Sequence, residues 1–173
     1  MSGLYDNTLR LAESLSTGEI FGGAASRRAV SSAYYSVFQR LSSLCASRLS
    51  GQDPGSEEYL RLYRALEHKL VRAALNRGIY KVELGVRFER LQDARHWADY
   101  SIAPHPDSSA GRGFTPSEAQ FYVDMARGAL QFVDSLDKAA QLKLAILLII
   151  RDRRTSRPHD FESPLSPHAR PPA

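Results

Sequence analysis

The sequence holds a single cysteine, Cys45, which excludes an intramolecular disulfide framework and leaves no Cys cluster for zinc. It also lacks a long apolar run. The longest, Leu142 to Ile150, is interrupted by Lys143 and falls far short of the ~20 residues a membrane span needs. The opening stretch MSGLYDNTLRLAESL is amphipathic without an apolar signal core, so no secretion signal is expected and a cytoplasmic setting is the default. A phosphate-binding glycine loop, a zinc-binding helix motif and a nucleophilic serine elbow are all missing. So are strand alternation, internal repeats and heptads. The charge excess is small. Of the formal +4, half belongs to residues 151–173, where five arginines face Asp152, Asp160 and Glu162. What is left is a weak footprint for a broad phosphate-binding surface.

What the sequence does have is helical periodicity. The stretch from Ser26 to Leu49 repeats Val30, Ala33, Tyr34, Val37, Leu41, Leu44 and Cys45 at three- and four-residue steps, with no Pro or Gly between. It predicts a helix about 36 Å long, capped by Ser26, which serves as the spine of the domain. Before it, Leu4, Thr8, Leu11, Ala12 and Leu15 predict a short first helix, and Ser16 to Ala25 reads as a glycine-rich loop. After it, Ser56 with Glu57 and Glu58 opens a third helix that runs to Arg77 and stops at Gly78. A fourth spans about Glu83 to Ile102 and ends before Pro104 and the loop HPDSSAGRG. Thr115-Pro116-Ser117-Glu118 is a capping box with Pro at the first helical position, opening a fifth helix that reaches Ala140.

The expected class is therefore all-α: an up-and-down antiparallel bundle of about five helices. The bundle is placed at 1–154, with an apolar extension from about residue 139 that packs on a partner or on the first helix. Residues 155–173, with five prolines, read as a disordered tail.

Two places carry chemistry. Arg27 and Arg28 fall in the first turn of the spine, where the helix dipole disfavours cations. An anion or acidic partner offsets that, unless both are simply solvated. Beside them Tyr34 and Tyr35 sit among small residues that let a neighbouring helix come close. The second place is LQDARHWADY, residues 91–100, where Arg95 and Asp99 are one turn apart with Tyr100 adjacent. This is either a phosphate-facing arginine held by a carboxylate or an ordinary intrahelical ion pair.

The phrases Arg27-Arg28-Ala29-Val30-Ser31-Ser32-Ala33-Tyr34-Tyr35-Ser36-Val37-Phe38, Arg95-x-x-Ala98-Asp99-Tyr100 and Phe114-Thr115-Pro116-Ser117-Glu118-Ala119, in that order, resemble the HEPN superfamily. The nearer likeness is to the branch with an R-x-A-x-S-x-AYY helix and an R-x-x-ADY helix, and it covers about Leu4 to Leu136. The resemblance implies a helical bundle, commonly a two-fold dimer. It implies action as a metal-independent ribonuclease toxin, as a partner of a small nucleotidyltransferase in toxin–antitoxin pairs, or as an RNA- or nucleotide-binding module in prokaryotic defence.

In active members an Arg, a polar residue and, a few positions on, a His meet across the dimer cleft. The His moves a proton while the Arg stabilises charge on the phosphoryl group. Arg95-His96 fits the opening of that motif, but Tyr100 stands where the second His belongs, and Gln39 replaces the His that follows the Tyr-Tyr phrase. A phenol, with a pKa ordinarily near 10, is a poor base at neutral pH but can donate to phosphate. Arg61 and His68 have the motif's spacing but lie on the third helix, where it reads as chance.

The resemblance thus marks Arg95, His96 and Tyr100 as catalytic candidates. Arg28, Tyr35, Arg95, Asp99 and Tyr100 become candidates for holding RNA or nucleotide. No metal or cofactor is implied. Alternative readings are a non-catalytic adaptor for a nucleotidyltransferase and a purely structural subunit assembled through the 142–150 run.

Overall fold

The computed structural model describes residues 4–17, 22–101 and 113–150. Among them every regular element is helical: α1 (Leu4–Thr17), α2 (Gly22–Ser50), α3 (Glu57–Arg64), α4 (His68–Leu75), α5 (Val86–Tyr100), α6 (Pro116–Ser135) and α7 (Lys138–Ile149). The all-α bundle is as expected, but seven helices stand where about five were predicted, because two of the predicted helices are broken. Ile102, the 103–112 loop with His105, and the tail from Arg151 with His159 and His168 lie outside the described residues.

The spine is α2, and α1, α3, α5, α6 and α7 all pack against it. Each residue of its predicted stripe is buried, and so are Ser26, Ala29, Ser31, Ser32, Ser36 and Ser42 on its other sides. Small side chains allow neighbours on several faces at once. Two of the hydroxyls are satisfied within the helix, where Ser36 donates to the Ala33 carbonyl at 2.7 Å and Ser42 to the Phe38 carbonyl at 3.0 Å, while the buried Ser31 hydroxyl has no partner.

The helix begins four residues earlier than predicted, so Ser26 is not its cap. Arg27 and Arg28 lie in the second turn, outside the reach of the dipole argument. The first helix in turn extends to Thr17 and is rotated relative to its predicted face: Ala12 and Ser16 are buried, while Leu4 and Leu11 are exposed.

The predicted third helix is two. Ser56 caps α3 as expected, accepting from the Tyr59 amide at 3.2 Å, but the chain leaves helical geometry at Glu67 (φ −116°, ψ 129°) and restarts at His68. The buried positions explain the break. Leu66 and Val71 are five residues apart, a step that one continuous helix cannot keep on one face. Arg72 then ties α4 to α5 through Asp93 (2.6 Å) and Glu89, while Asn76 Nδ2 donates to Glu89 at 3.1 Å.

A wide turn, Lys81–Gly85, leads into α5, with the Leu84 and Gly85 amides both directed at the Tyr80 carbonyl (2.9 and 3.0 Å). Gly85 is required there, since a Cβ would come within 2.9 Å of Asn76 Oδ1 and 3.0 Å of the Leu75 carbonyl.

The capping box of α6 is formed in full: Thr115 Oγ1 accepts from the Glu118 amide and Glu118 accepts from the Thr115 amide. That helix stops at Ser135 instead of running to Ala140. Asp137 caps a new one, accepting from the Ala140 amide at 2.7 Å. The expected apolar extension is thus α7, a three-turn helix of the bundle itself. It packs chiefly on α2, with α4 beside it, and not mainly on the first helix. Leu144, Ala145 and Leu148 join the common core, and Arg48 of α2 donates to Gln141. Leu142, Ile146 and Ile150 face outward.

Candidate functional site

The seam between α2 and α5 brings most of the predicted site residues together. The side chain of Arg95, 21% exposed, crosses from α5 so that Nη2 donates to the Tyr35 hydroxyl at 2.6 Å. Its Nε lies 2.7 Å from Asp99 Oδ2, an ion pair one turn along the helix. The contact is Coulombic rather than a directed hydrogen bond, because the N–H points off the oxygen.

Tyr100 closes the other side, its hydroxyl 3.4 Å from Nη2. Its ring and that of Tyr35 each have their centroid 5.2 Å from the guanidinium carbon. Burial works against the charge on Arg95, but Tyr35, Asp99 and Tyr100 outweigh it, so the guanidinium is held firmly cationic. The result is a fixed cation between two phenol faces, with N–H donors left over for a ligand.

The helix ends around it are held by Arg27, whose Nη2 donates to the carbonyls of Ser101 (2.7 Å) and Trp97 (3.3 Å) at the C-terminus of α5. Arg27, half-buried, thus caps the helix that carries Arg95. Arg28 beside it is exposed. A cleft of about 240 Å³ is lined by Ala24, Arg27, Arg28, Ala98 and Asp99, so Arg28 and the carboxylate that pairs with Arg95 border one depression.

Two catalytic candidates are placed differently from one another. Tyr100 touches the guanidinium, as above. His96 is exposed and reaches only the Tyr100 ring, at 5.3 Å between centroids, with no hydrogen bond to Arg95. The reason is helical geometry: neighbours in sequence point about 100° apart. Gln39, which follows the Tyr-Tyr phrase, takes a hydrogen bond from Thr8 of α1 at 2.8 Å. Arg61 lines a separate depression on α3 with Leu60 and Arg64.

His68 is the residue that sequence reasoning sets aside. It opens α4 with Nδ1 2.5 Å from the Tyr34 hydroxyl and its ring stacked 3.9 Å from that of Phe38, and it stands edge-on to Tyr35. Burial first, and then the charge of Arg95, lower its pKa below the ordinary imidazole value. The phenol of Tyr34, buried in the core, is pushed well up by its own desolvation.

The chain matches no protein-family model, no curated protein and no solved structure. Among the described residues, no group of three or more His, Cys, Asp or Glu is placed to hold a metal ion, and no helix is long and apolar enough to cross a membrane.

Proposed function

We propose that the chain is a HEPN-type protein of a prokaryotic toxin–antitoxin or defence system, and that it binds RNA or a nucleotide at the Arg95 cluster. The supporting observation is the Arg95 guanidinium, fixed between Tyr35 and Tyr100 and oriented by Asp99. Such a planar cation suits a phosphate, which accepts two parallel N–H bonds, and the exposed Tyr100 offers a ring face to a base. Arg28, exposed on the cleft that Asp99 also lines, offers a second cation for a neighbouring phosphate.

In this reading the protein acts in the cytoplasm as a two-fold dimer whose α5 helices face one another, and a nucleotidyltransferase is its natural partner. Binding rather than turnover is the core of the proposal, because His96 lies off the guanidinium and Tyr100 occupies the place of the second histidine.

The experiment is to incubate chelator-treated protein with labelled single-stranded RNA and follow both retention and length. Saturable binding of intact RNA, lost in Arg95→Ala and weakened in Arg28→Ala, is the expected result. Chelator-insensitive shortening that depends on Arg95 would make the protein a ribonuclease instead. Absence of any binding by wild type would remove the proposal.

A second reading has its own observation. Leu142, Ile146 and Ile150 form an outward apolar row on α7, each 40% exposed or more, as a subunit of a larger assembly would present. In that case substituting these three with polar residues lowers the assembly state while Arg95→Ala changes nothing.

A further inference from the structure

His68 has no part in the binding geometry described so far, yet a connected path leads from it to Arg95. Its Nδ1 meets the Tyr34 hydroxyl at 2.5 Å. The Tyr34 ring stands edge-on to Tyr35, 5.4 Å between centroids, and the Tyr35 hydroxyl accepts from Arg95 at 2.6 Å. The titratable and charged groups facing the imidazole are Tyr34 and Tyr35 from α2 and Arg95 from α5, with Phe38 covering the ring. Arg95 supplies the only full charge among them.

The position is built. The break at Glu67 turns α4 so that its first residue meets α2, and the Arg72 clamp to Asp93 and Glu89 holds α4 on α5.

We infer that His68 is the proton-linked member of the Arg95 site: phosphate binding at Arg95 and protonation of His68 favour one another. The inference rests on the reading of Arg95 as a phosphate contact. With the imidazole neutral and its proton on Nε2, the Tyr34 hydroxyl donates to Nδ1. With it protonated, Nδ1–H donates to the same oxygen, so the hydrogen bond survives with its roles exchanged and no side chain has to move. What opposes the proton is burial and the nearby guanidinium charge. A phosphate seated on Arg95 cancels most of that field, and the imidazole then takes up a proton more readily. By reciprocity, a protonated His68 strengthens phosphate binding by the same factor. The site is thereby tuned to hold its ligand more tightly as the pH falls below neutrality.

The probe is a labelled oligouridylate, whose phosphodiesters and bases do not titrate across the histidine range of about pH 5 to 8. The His68 ring resonance is followed by NMR through a pH titration of the wild-type protein, with and without saturating RNA. Its midpoint is expected to move upward on binding. Affinity measured by anisotropy should rise about threefold to tenfold from pH 8 to pH 5.5, tenfold corresponding to one unit of displacement.

The profile should flatten in His68→Gln. In Arg95→Ala without RNA the midpoint should already be raised. An unmoved midpoint at saturation, a wild-type pH profile in His68→Gln, or an unchanged midpoint in Arg95→Ala overturns the inference. The titration of the wild type needs no substitution, so it decides the matter even where a variant misfolds. Saturable, Arg95-dependent RNA binding with an unmoved His68 removes this inference alone. Absence of any saturable binding removes the phosphate reading and the linkage together.

Discussion

Replacing Arg95 tests the site most directly, and two replacements separate charge from shape. In Arg95→Ala the cation and the whole fork of donors disappear. One Nη2 N–H is engaged by Tyr35 and Nε faces Asp99, so the remaining edge is what the proposed phosphate would meet. A charge-assisted hydrogen bond to phosphate contributes about 1.5–3 kcal/mol, and water competes at a side chain that is 21% exposed. A net loss of about 2 kcal/mol follows, roughly thirtyfold in Kd. Arg95→Lys keeps the charge but not the planar fork, and one ammonium cannot serve Tyr35, Asp99 and a phosphate together.

Lysine should therefore recover less than about a fifth of the lost affinity while preserving the salt dependence. Alanine should reduce the slope of log K against log salt by about 0.7, the amount for one phosphate contact on a single strand. Neither change threatens the fold. The ion pair contributes about 0.3–0.5 kcal/mol and the cation–π contacts about 0.5–1 kcal/mol each, and both are made by a partly exposed side chain. The assay is RNA anisotropy at several salt concentrations, with circular dichroism as the control. Binding by Arg95→Ala within twofold of wild type, with an unchanged slope, refutes the reasoning.

Three further outcomes follow from the packing. Gly85→Ala pushes a methyl group against Asn76 and the Leu75 carbonyl and should cost about 1–3 kcal/mol in urea unfolding; an unchanged midpoint contradicts the close approach. The Cys45 thiol, buried and pushed up to about 12 by desolvation, should resist an aromatic disulfide reagent at pH 8 and react fully once the protein is unfolded. Leu144→Ala should lower stability by about 2–5 kcal/mol because α7 completes the core; a melting curve like wild type would mean that α7 is only an assembly arm.

The bundle is legible in the sequence wherever a buried face runs without interruption. The stripe on α2 is buried as predicted, the expected fourth helix is present as α5 with Phe88, Leu91, Ala94 and Ala98 in the core, and the capping box marks the true start of α6. The boundaries that differ share a cause. Nothing like Pro or Gly marks the restart at His68, and only the five-residue step from Leu66 to Val71 betrays it. At the α6–α7 junction a signal is present: Asp137 is a good N-cap. It is masked because Leu136 and Ala140 continue the helical spacing. The small residues at the start of α2 mislead in the opposite direction, since Gly22, Gly23 and Ala24 suggest loop although the chain is helical there.

The same break decides how much of the site can be read. Arg95, Asp99 and Tyr100 lie within six residues on one helix, so their proximity follows from helical geometry alone. The meeting of Arg95 with Tyr35 follows from two buried faces that share a seam. His68 belongs to neither kind. On an uninterrupted third helix its neighbours would be set by the stripe of Leu66 and Leu70, and its distance to Arg95 would have no meaning in the sequence. Once the chain extends at Glu67, Leu66 stays in the core and His68 becomes the first residue of a new helix, aimed at Tyr34. An imidazole thus reaches the neighbourhood of Arg95 from another element. Spacing along one helix could not have revealed it, because the relevant contact is between α4 and α2.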